Sequence, residues 1–204
     1  GLCLPIISIV IAFANLFGMG GAPLCSIARG KGRLREAEDI MGNSFCLLLI
    51  SGAALTVIGL ASKRPLLYLF GASDATFPFA DQYLTIYLCG NLFVMIGLGM
   101  NSFINSQGFG RTGMITVLIG AILNLILDPI FIFVFGMGVR GAAIATVISQ
   151  AASALWTFRF LTGKRTILSL RLSSMRLQPR LVRRIFGLGM SGFIMSATNS
   201  AVQI

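Results

Sequence analysis

Long apolar runs, separated by short stretches that are glycine-rich, basic or both, set the pattern of this chain. The first run occupies about 1–28 and holds Pro5 and the turn-prone Gly18-Met19-Gly20-Gly21-Ala22-Pro23. A second spans about 40–61 and is closed by Lys63-Arg64-Pro65; a third spans about 83–105, a fourth about 113–135 and a fifth about 142–161. A sixth begins near Ile185 and runs to the last residue. Most of these runs reach the ~20 residues that an α-helix needs to cross ~30 Å of hydrocarbon. The segment 66–80 mixes Gly71, Asp74 and Pro78 with apolar residues and predicts a loop or a helix lying at the interface. Strict alternation occurs only in Leu168-Ser169-Leu170-Arg171-Leu172. That is too little for a membrane barrel, which needs repeated alternating strands. The pattern predicts an all-α polytopic transmembrane helix bundle with about six crossings.

Composition supports lipid as the solvent. The chain is 56% hydrophobic and 11% charged, against ~25% charged in an ordinary soluble domain. Six acidic residues in 204 cannot build a solvated shell. The net charge of +10 does not indicate nucleic acid, because the basic residues are not interleaved with aromatics on one face. They fall between the apolar runs. Arg29, Lys31, Arg33, Arg35, Arg111, Arg159, Lys164, Arg165, Arg171, Arg176, Arg180, Arg183 and Arg184 belong to one side; Lys63, Arg64 and Arg140 belong to the other. So uneven a division places 29–39, 106–112 and 159–185 in the cytoplasm. A cytoplasmic linker accounts for 159–185 without further assumption, ahead of docking to acidic lipid or a calmodulin-like target. Pro179 followed by Arg180-Leu181-Val182-Arg183-Arg184 predicts a short interfacial helix. Cys3, Cys25, Cys46 and Cys89 have no metal spacing and read as small buried hydrophobes. The chain starts with glycine inside an apolar run and stops inside another, as expected of an internal fragment of a longer protein.

Gly108-Phe109-Gly110-Arg111-Thr112-Gly113 fits G-x-G-x-x-G. The dinucleotide fingerprint requires a strand before it and a βαβ unit around it. An apolar helical run precedes it here, so it predicts a glycine-rich turn. Asp128 is the only acidic residue well inside a predicted crossing. An ionised carboxylate there costs roughly 2.5–3.5 kcal/mol on insertion scales, so it must face protein or water. Asn124 lies one turn earlier on the same face. Pro129 has no backbone N–H and leaves the Leu125 carbonyl without its usual helical partner, which predicts a kink. A carboxylate, an amide oxygen and a released carbonyl suit a hard cation or a proton. The alternative is that Asp128 caps the kink or pairs with an arginine elsewhere in the bundle. Gly141, Ala145, Ser149 and Ser153 recur every four residues and predict a close-packing face. Thr146 and Gln150, also four apart, line a cavity or bond a neighbouring helix. Asn101 and Asn105 read as cavity lining or as a solvated helix end, and Asn15 is similar. With no histidine, no paired carboxylates and no nucleophile beside a base, nothing points to an enzyme.

The stretch Asn124-Leu125-Ile126-Leu127-Asp128-Pro129 with Gly136-Met137-Gly138-Val139-Arg140-Gly141-Ala142-Ala143 and on to Gln150 resembles the fifth and sixth helices of the multidrug and toxic compound extrusion (MATE) family. Gly18-Met19-Gly20-Gly21 with Ala28-Arg29-Gly30-Lys31-Gly32 is similar to the end of its second helix. Gly187-Leu188-Gly189-Met190-Ser191-Gly192-Phe193 is similar to the start of its seventh, with Met190 where the family often has proline. The resemblance implies part of a twelve-helix, two-lobe transporter in a bacterial or archaeal inner membrane. It would export organic cations or amphipathic drugs in exchange for sodium ions or protons, with no cofactor. Residues 1–161 would be amino-terminal-lobe helices lacking the first, 162–185 the basic inter-lobe linker and 186–204 the start of the second lobe. The implied partners are a small organic substrate, the lipid bilayer, and helix one and the carboxy-terminal lobe of the same protein. The prokaryotic DNA-damage-inducible branch builds a cation site from an Asp on helix one, an Asn and an Asp on helix five and a Thr on helix six. Asn124, Asp128 and Thr146 match the last three, as coupling residues or sodium ligands; Gln150, Asn101 and Asn15 are the cavity-lining candidates. A lipid-linked flippase of the wider superfamily and a non-transporting membrane scaffold are the competing readings. The basic residues lie in loops rather than crossings, which favours the antiporter.

Overall fold

The computed structural model describes residues 4–69, 71–163, 166, 170 and 177–202. The described residues form helices α1 (Leu4–Gly30), α2 (Leu34–Leu69), α3 (Phe77–Cys89), α4 (Asn91–Ser106), α5 (Gly110–Pro129), α6 (Val139–Thr162) and α7 (Pro179–Val202), with no strand among them. A π-helical turn, Ile130–Val134, continues α5. Among the described residues, helices α1, α2, α5 with its π turn, and α6 are each long and apolar enough to cross a membrane; α3 and α4 pass the same test only taken together, as a pair bent like a broken span or a re-entrant loop. The sixth run, from Ile185, falls in α7, which opens with Arg180, Arg183 and Arg184 and over its described residues is not among these spans. The alternation at 168–172 and most of the basic linker lie outside the described residues.

Three expectations change. Pro65 does not close the second crossing, since α2 continues through it to Leu69. Contacts with α3 hold that extension. Lys63 Nζ lies 3.0 Å from Asp81 Oδ1, Arg64 sits 5.7 Å over the Phe77 ring, and Leu67 is buried with Leu84 and Leu88. The third crossing is not one helix but two, bent by 55° at Gly90. Val147 of α6 occupies the place where a Cβ at Gly90 would stand, and the Thr56 hydroxyl donates across to the Leu88 carbonyl at 2.9 Å. The short interfacial helix expected at Pro179 is instead the first turns of the continuous α7.

The core lies where α1, α2 and α4 meet, around Phe17, Met41, Leu48, Met95 and Phe103. Small residues set the helix spacing. A Cβ at Gly18 would stand 3.0 Å from the Gly99 carbonyl oxygen. Helix α7 lies along α1, and a Cβ at Gly20 or Gly189 would run into the opposite backbone, at Ile185 and Leu16 respectively. Phe13 meets Phe193 and Phe17 meets Phe186 edge to face at 5.0 and 5.3 Å. Helix α5 leaves Met114, Leu118, Ile122 and Leu125 exposed on its outer side. On its inner side Gly113 and Thr116 are buried. The Gly108 φ of +89° turns α4 into α5, and this helix–helix turn is the structural context of the G-x-G-x-x-G stretch.

Candidate functional site

Helices α5 and α6 approach closely because their facing residues are small. Gly141, Ala145, Ser149 and Ser153 are all buried, as their spacing predicts. Gly141 abuts the Phe131 carbonyl of the π turn, where a Cβ would come within 2.7 Å. A Cβ at Gly120 would stand 2.9 Å from Ser153 Oγ, and that hydroxyl donates to the Thr116 carbonyl at 2.9 Å. Trp156 Nε1 donates to the Thr112 carbonyl at 3.4 Å. The seam is therefore held by side chains that donate to α5 carbonyls, a bonding mode suited to lipid, where an unmet polar group is costly.

Where α4 reaches this seam a cavity of about 270 Å³ opens, lined by Asn101 of α4, Thr116 and Asn124 of α5, and Gln150 and Ser153 of α6. Three residues singled out in the sequence, Asn101, Asn124 and Gln150, come together here although they lie on three helices. Asn101 Nδ2 donates to the Gly113 carbonyl at 3.2 Å. That bond fixes the amide and leaves Asn101 Oδ1 buried without a partner. Asn124 Oδ1 and Asp128 Oδ1 are likewise buried and without hydrogen-bond partners. Buried polar oxygens are nearly always bonded; these three acceptors, two of them one turn apart on α5, have no partner among the described residues. Among the described residues Asp128 makes no ion pair, so no arginine neutralises it there. Thr146 lies on α6 outside the cavity lining. Its hydroxyl donates to the Ala142 carbonyl at 2.9 Å, which spends its one proton and leaves oxygen lone pairs to accept.

Pro129 is the last residue of α5, and the chain passes directly into the π-helical turn. The kink expected at the proline thus takes the form of a local widening, a feature that recurs at functional sites in helices. Asn15 sits half-buried on α1 and is not part of the cavity lining. Asn105 is exposed. Sequence reasoning overlooked Thr116 and Ser153 as cavity walls. Ser153 has the spacing of a packing residue, and its bond to α5 has no signature in that spacing. No group of three or more His, Cys, Asp or Glu side chains gathers among the described residues. A cation here would be held by one carboxylate and neutral oxygens, the ligand set of a hard monovalent ion rather than a transition metal.

A polytopic helical membrane protein with a polar cavity between helices, and a half-buried carboxylate, Asp128, one turn beyond the cavity-lining Asn124, is the class defined by this fold and site. The MatE family model matches residues 1–130, and the chain belongs to the MATE family of multi-pass cell-membrane transporters. It is 30% identical over 195 residues to the multidrug export protein MepA of Staphylococcus saprophyticus, covering 96% of this chain and 43% of that protein. A second MepA, from Staphylococcus haemolyticus, is 30% identical over 194 residues, covering 95% of this chain and 43% of that protein. The inward-facing structure of a multidrug resistance MATE family transporter superposes with a TM-score of 0.95 at 26% identity, covering 100% of this chain and 46% of that one. A MOP superfamily transporter from Pyrococcus furiosus superposes with a TM-score of 0.89 at 27% identity, covering 96% and 44%. The chain spans a little under half the length of these relatives.

Proposed function

We propose that this chain forms part of the amino-terminal half of a secondary active antiporter, which exports organic cations or amphipathic drugs in exchange for sodium ions or protons. The observation that carries the reading is the pair of unmet buried oxygens, Asp128 Oδ1 and Asn124 Oδ1, one helical turn apart. Asp128 is the coupling residue. A proton on its carboxyl, or a sodium ion beside it, removes the net charge and supplies the partner that its oxygen lacks. Asn124 and Thr146 contribute neutral oxygens to the same ion. Coupling requires that the ion favour one conformation over another, because equal affinity for both shifts nothing. The π turn next to Asp128 is the element whose geometry such a charge change can bias. The cavity, at about 270 Å³, is below the ~300–1,000 Å³ of drug-sized sites. It suits an ion with water, or one group of a substrate whose remainder lies against the other half of the transporter.

The test is substrate efflux from proteoliposomes of the full-length protein under an imposed proton or sodium gradient. Asp128→Asn is expected to insert normally and to lose gradient-driven export, and Asn124→Ala to lose less, since it removes a neutral oxygen. Wild-type export by Asp128→Asn under both gradients, at normal protein levels, would make the carboxylate structural and would support a scaffold instead.

A further inference from the structure

The end of α1 and the starts of α2 and α7 meet at one edge of the bundle, through contacts between distant parts of the chain. Arg184 Nη1 lies 3.3 Å from Glu36 Oε1, and Arg33 Nη1 lies 3.6 Å from Glu36 Oε2. The Gln178 backbone N–H donates to Asn43 Oδ1 at 2.8 Å, and its Nε2 donates to Asp39 Oδ2 at 3.5 Å. Glu38 is engaged as well. The local carboxylates are thus occupied within the fold. Lys31, Arg35, Arg180 and Arg183 stand exposed around them, with no ion pair among the described residues. Ile27 and Leu34, beside the same junction, are 49% and 48% exposed.

Membrane topology alone demands basic residues on this face, but it does not demand that two basic segments almost 150 residues apart converge. The tight α1–α7 packing at Gly20 and Gly189 does that. The opposite face is different: Lys63 is paired with Asp81 and Arg64 is stacked on Phe77, so two of its three cations are used internally. We propose that the α1–α2–α7 junction is a docking surface for the head group of an anionic phospholipid. Guanidinium groups of Arg180 and Arg183 match a phosphate with paired donors, Lys31 and Arg35 add positive charge, and Ile27 and Leu34 meet the upper acyl chain. The adjoining apolar side chains favour a lipid over an acidic peptide, because a lipid supplies phosphate and hydrocarbon together. Such basic pockets between membrane helices are suited to anionic head groups. This inference is independent of ion coupling at Asp128.

The test is native mass spectrometry of the purified full-length protein, released from detergent after equilibration with phosphatidylglycerol or phosphatidylcholine. Wild type is expected to retain phosphatidylglycerol roughly tenfold better than phosphatidylcholine, and R180Q/R183Q and K31Q/R35Q each to reduce that preference severalfold. R140Q, on the opposite face, should retain it, and R180K/R183K, which returns the charge without the paired donors, should fall between wild type and R180Q/R183Q, which separates charge from folding damage. Equal retention of the two lipids by wild type, or an undiminished preference in both glutamine variants, would overturn the proposal. So would displacement of the lipid by equimolar inorganic phosphate or by an acidic peptide, which would assign the surface to a free anion or to a protein partner.

Discussion

Asp128, Asn124 and Thr146 contribute different chemistry although all three offer oxygen. Asp128 carries the charge, and its buried Oδ1 has no hydrogen-bond partner. Asn124 presents a neutral acceptor in the same condition. Thr146 donates its proton to Ala142 at 2.9 Å, so only its lone pairs are available. Thr146→Ser is therefore expected to keep coupling. Thr146→Val should raise the sodium or proton concentration for half-maximal efflux about fivefold, the equivalent of one lost interaction of ~1 kcal/mol. Concentration dependence in proteoliposomes checks this, and equal values for the two variants would remove Thr146 from the site. The Asp128–Asn124 pair was legible in the sequence because both its spacing and its cost in lipid are local properties. The meeting of Asn124 with Asn101 and Gln150 around one cavity was not, because each belongs to a different helix.

At the scale of the element, departures from regular helix matter most. The π turn Ile130–Val134 follows Pro129 directly, and Gly141 of α6 packs on its Phe131 carbonyl. Pro129→Ala restores a backbone N–H and relieves the ring from the preceding turn. It is expected to raise thermal stability in detergent and, under the coupling proposed at Asp128, in which the widened turn adopts two geometries, to slow transport. Faster or unchanged transport by a stabilised Pro129→Ala protein would show the turn to be passive. The α1–α7 contact gives a complementary expectation. Gly189→Val places side-chain atoms where the Leu16 backbone lies, and overpacking of this kind costs about 1–3 kcal/mol or more. Thermal unfolding followed by aggregation-sensitive chromatography should show earlier loss for Gly189→Val than for Gly187→Val, since nothing lies within 4 Å of a Cβ at Gly187.

For the whole molecule, the helix ends sort the charges. The described basic residues of 29–35, 111, 159 and 180–184 lie at the edge where α1, α4 and α6 end and α2, α5 and α7 begin; Lys63, Arg64 and Arg140 lie at the other. Positive charge selects the cytoplasmic side. In a full-length protein whose native cysteines are replaced, Ala75→Cys is expected to react with an impermeant thiol reagent applied to intact cells, and Thr162→Cys only after lysis. The reverse labelling pattern would invert the topology and move the anionic-lipid surface to the outer leaflet.

The sequence by itself determined that the chain is a helical membrane bundle, where most of its crossings lie, which edge is basic, and that Asp128 and Asn124 share a face. Each of these follows from hydropathy, helical period or charge count, which depend on neighbours along the chain. Tertiary structure decided the break at Gly90, where Val147 of α6 fills the space of a missing Cβ. It also decided the extension of α2 past Pro65, held by Lys63 and Asp81, and the joining of Asn101, Asn124 and Gln150 around one cavity. The glycine-lined approach of α7 to α1 belongs with these. In each case the deciding contact joins helices far apart in the chain, and in lipid such contacts rest on shape and hydrogen bonding rather than on hydrophobicity. Hydropathy reports which residues enter the membrane, but it carries no record of which helix each will touch there.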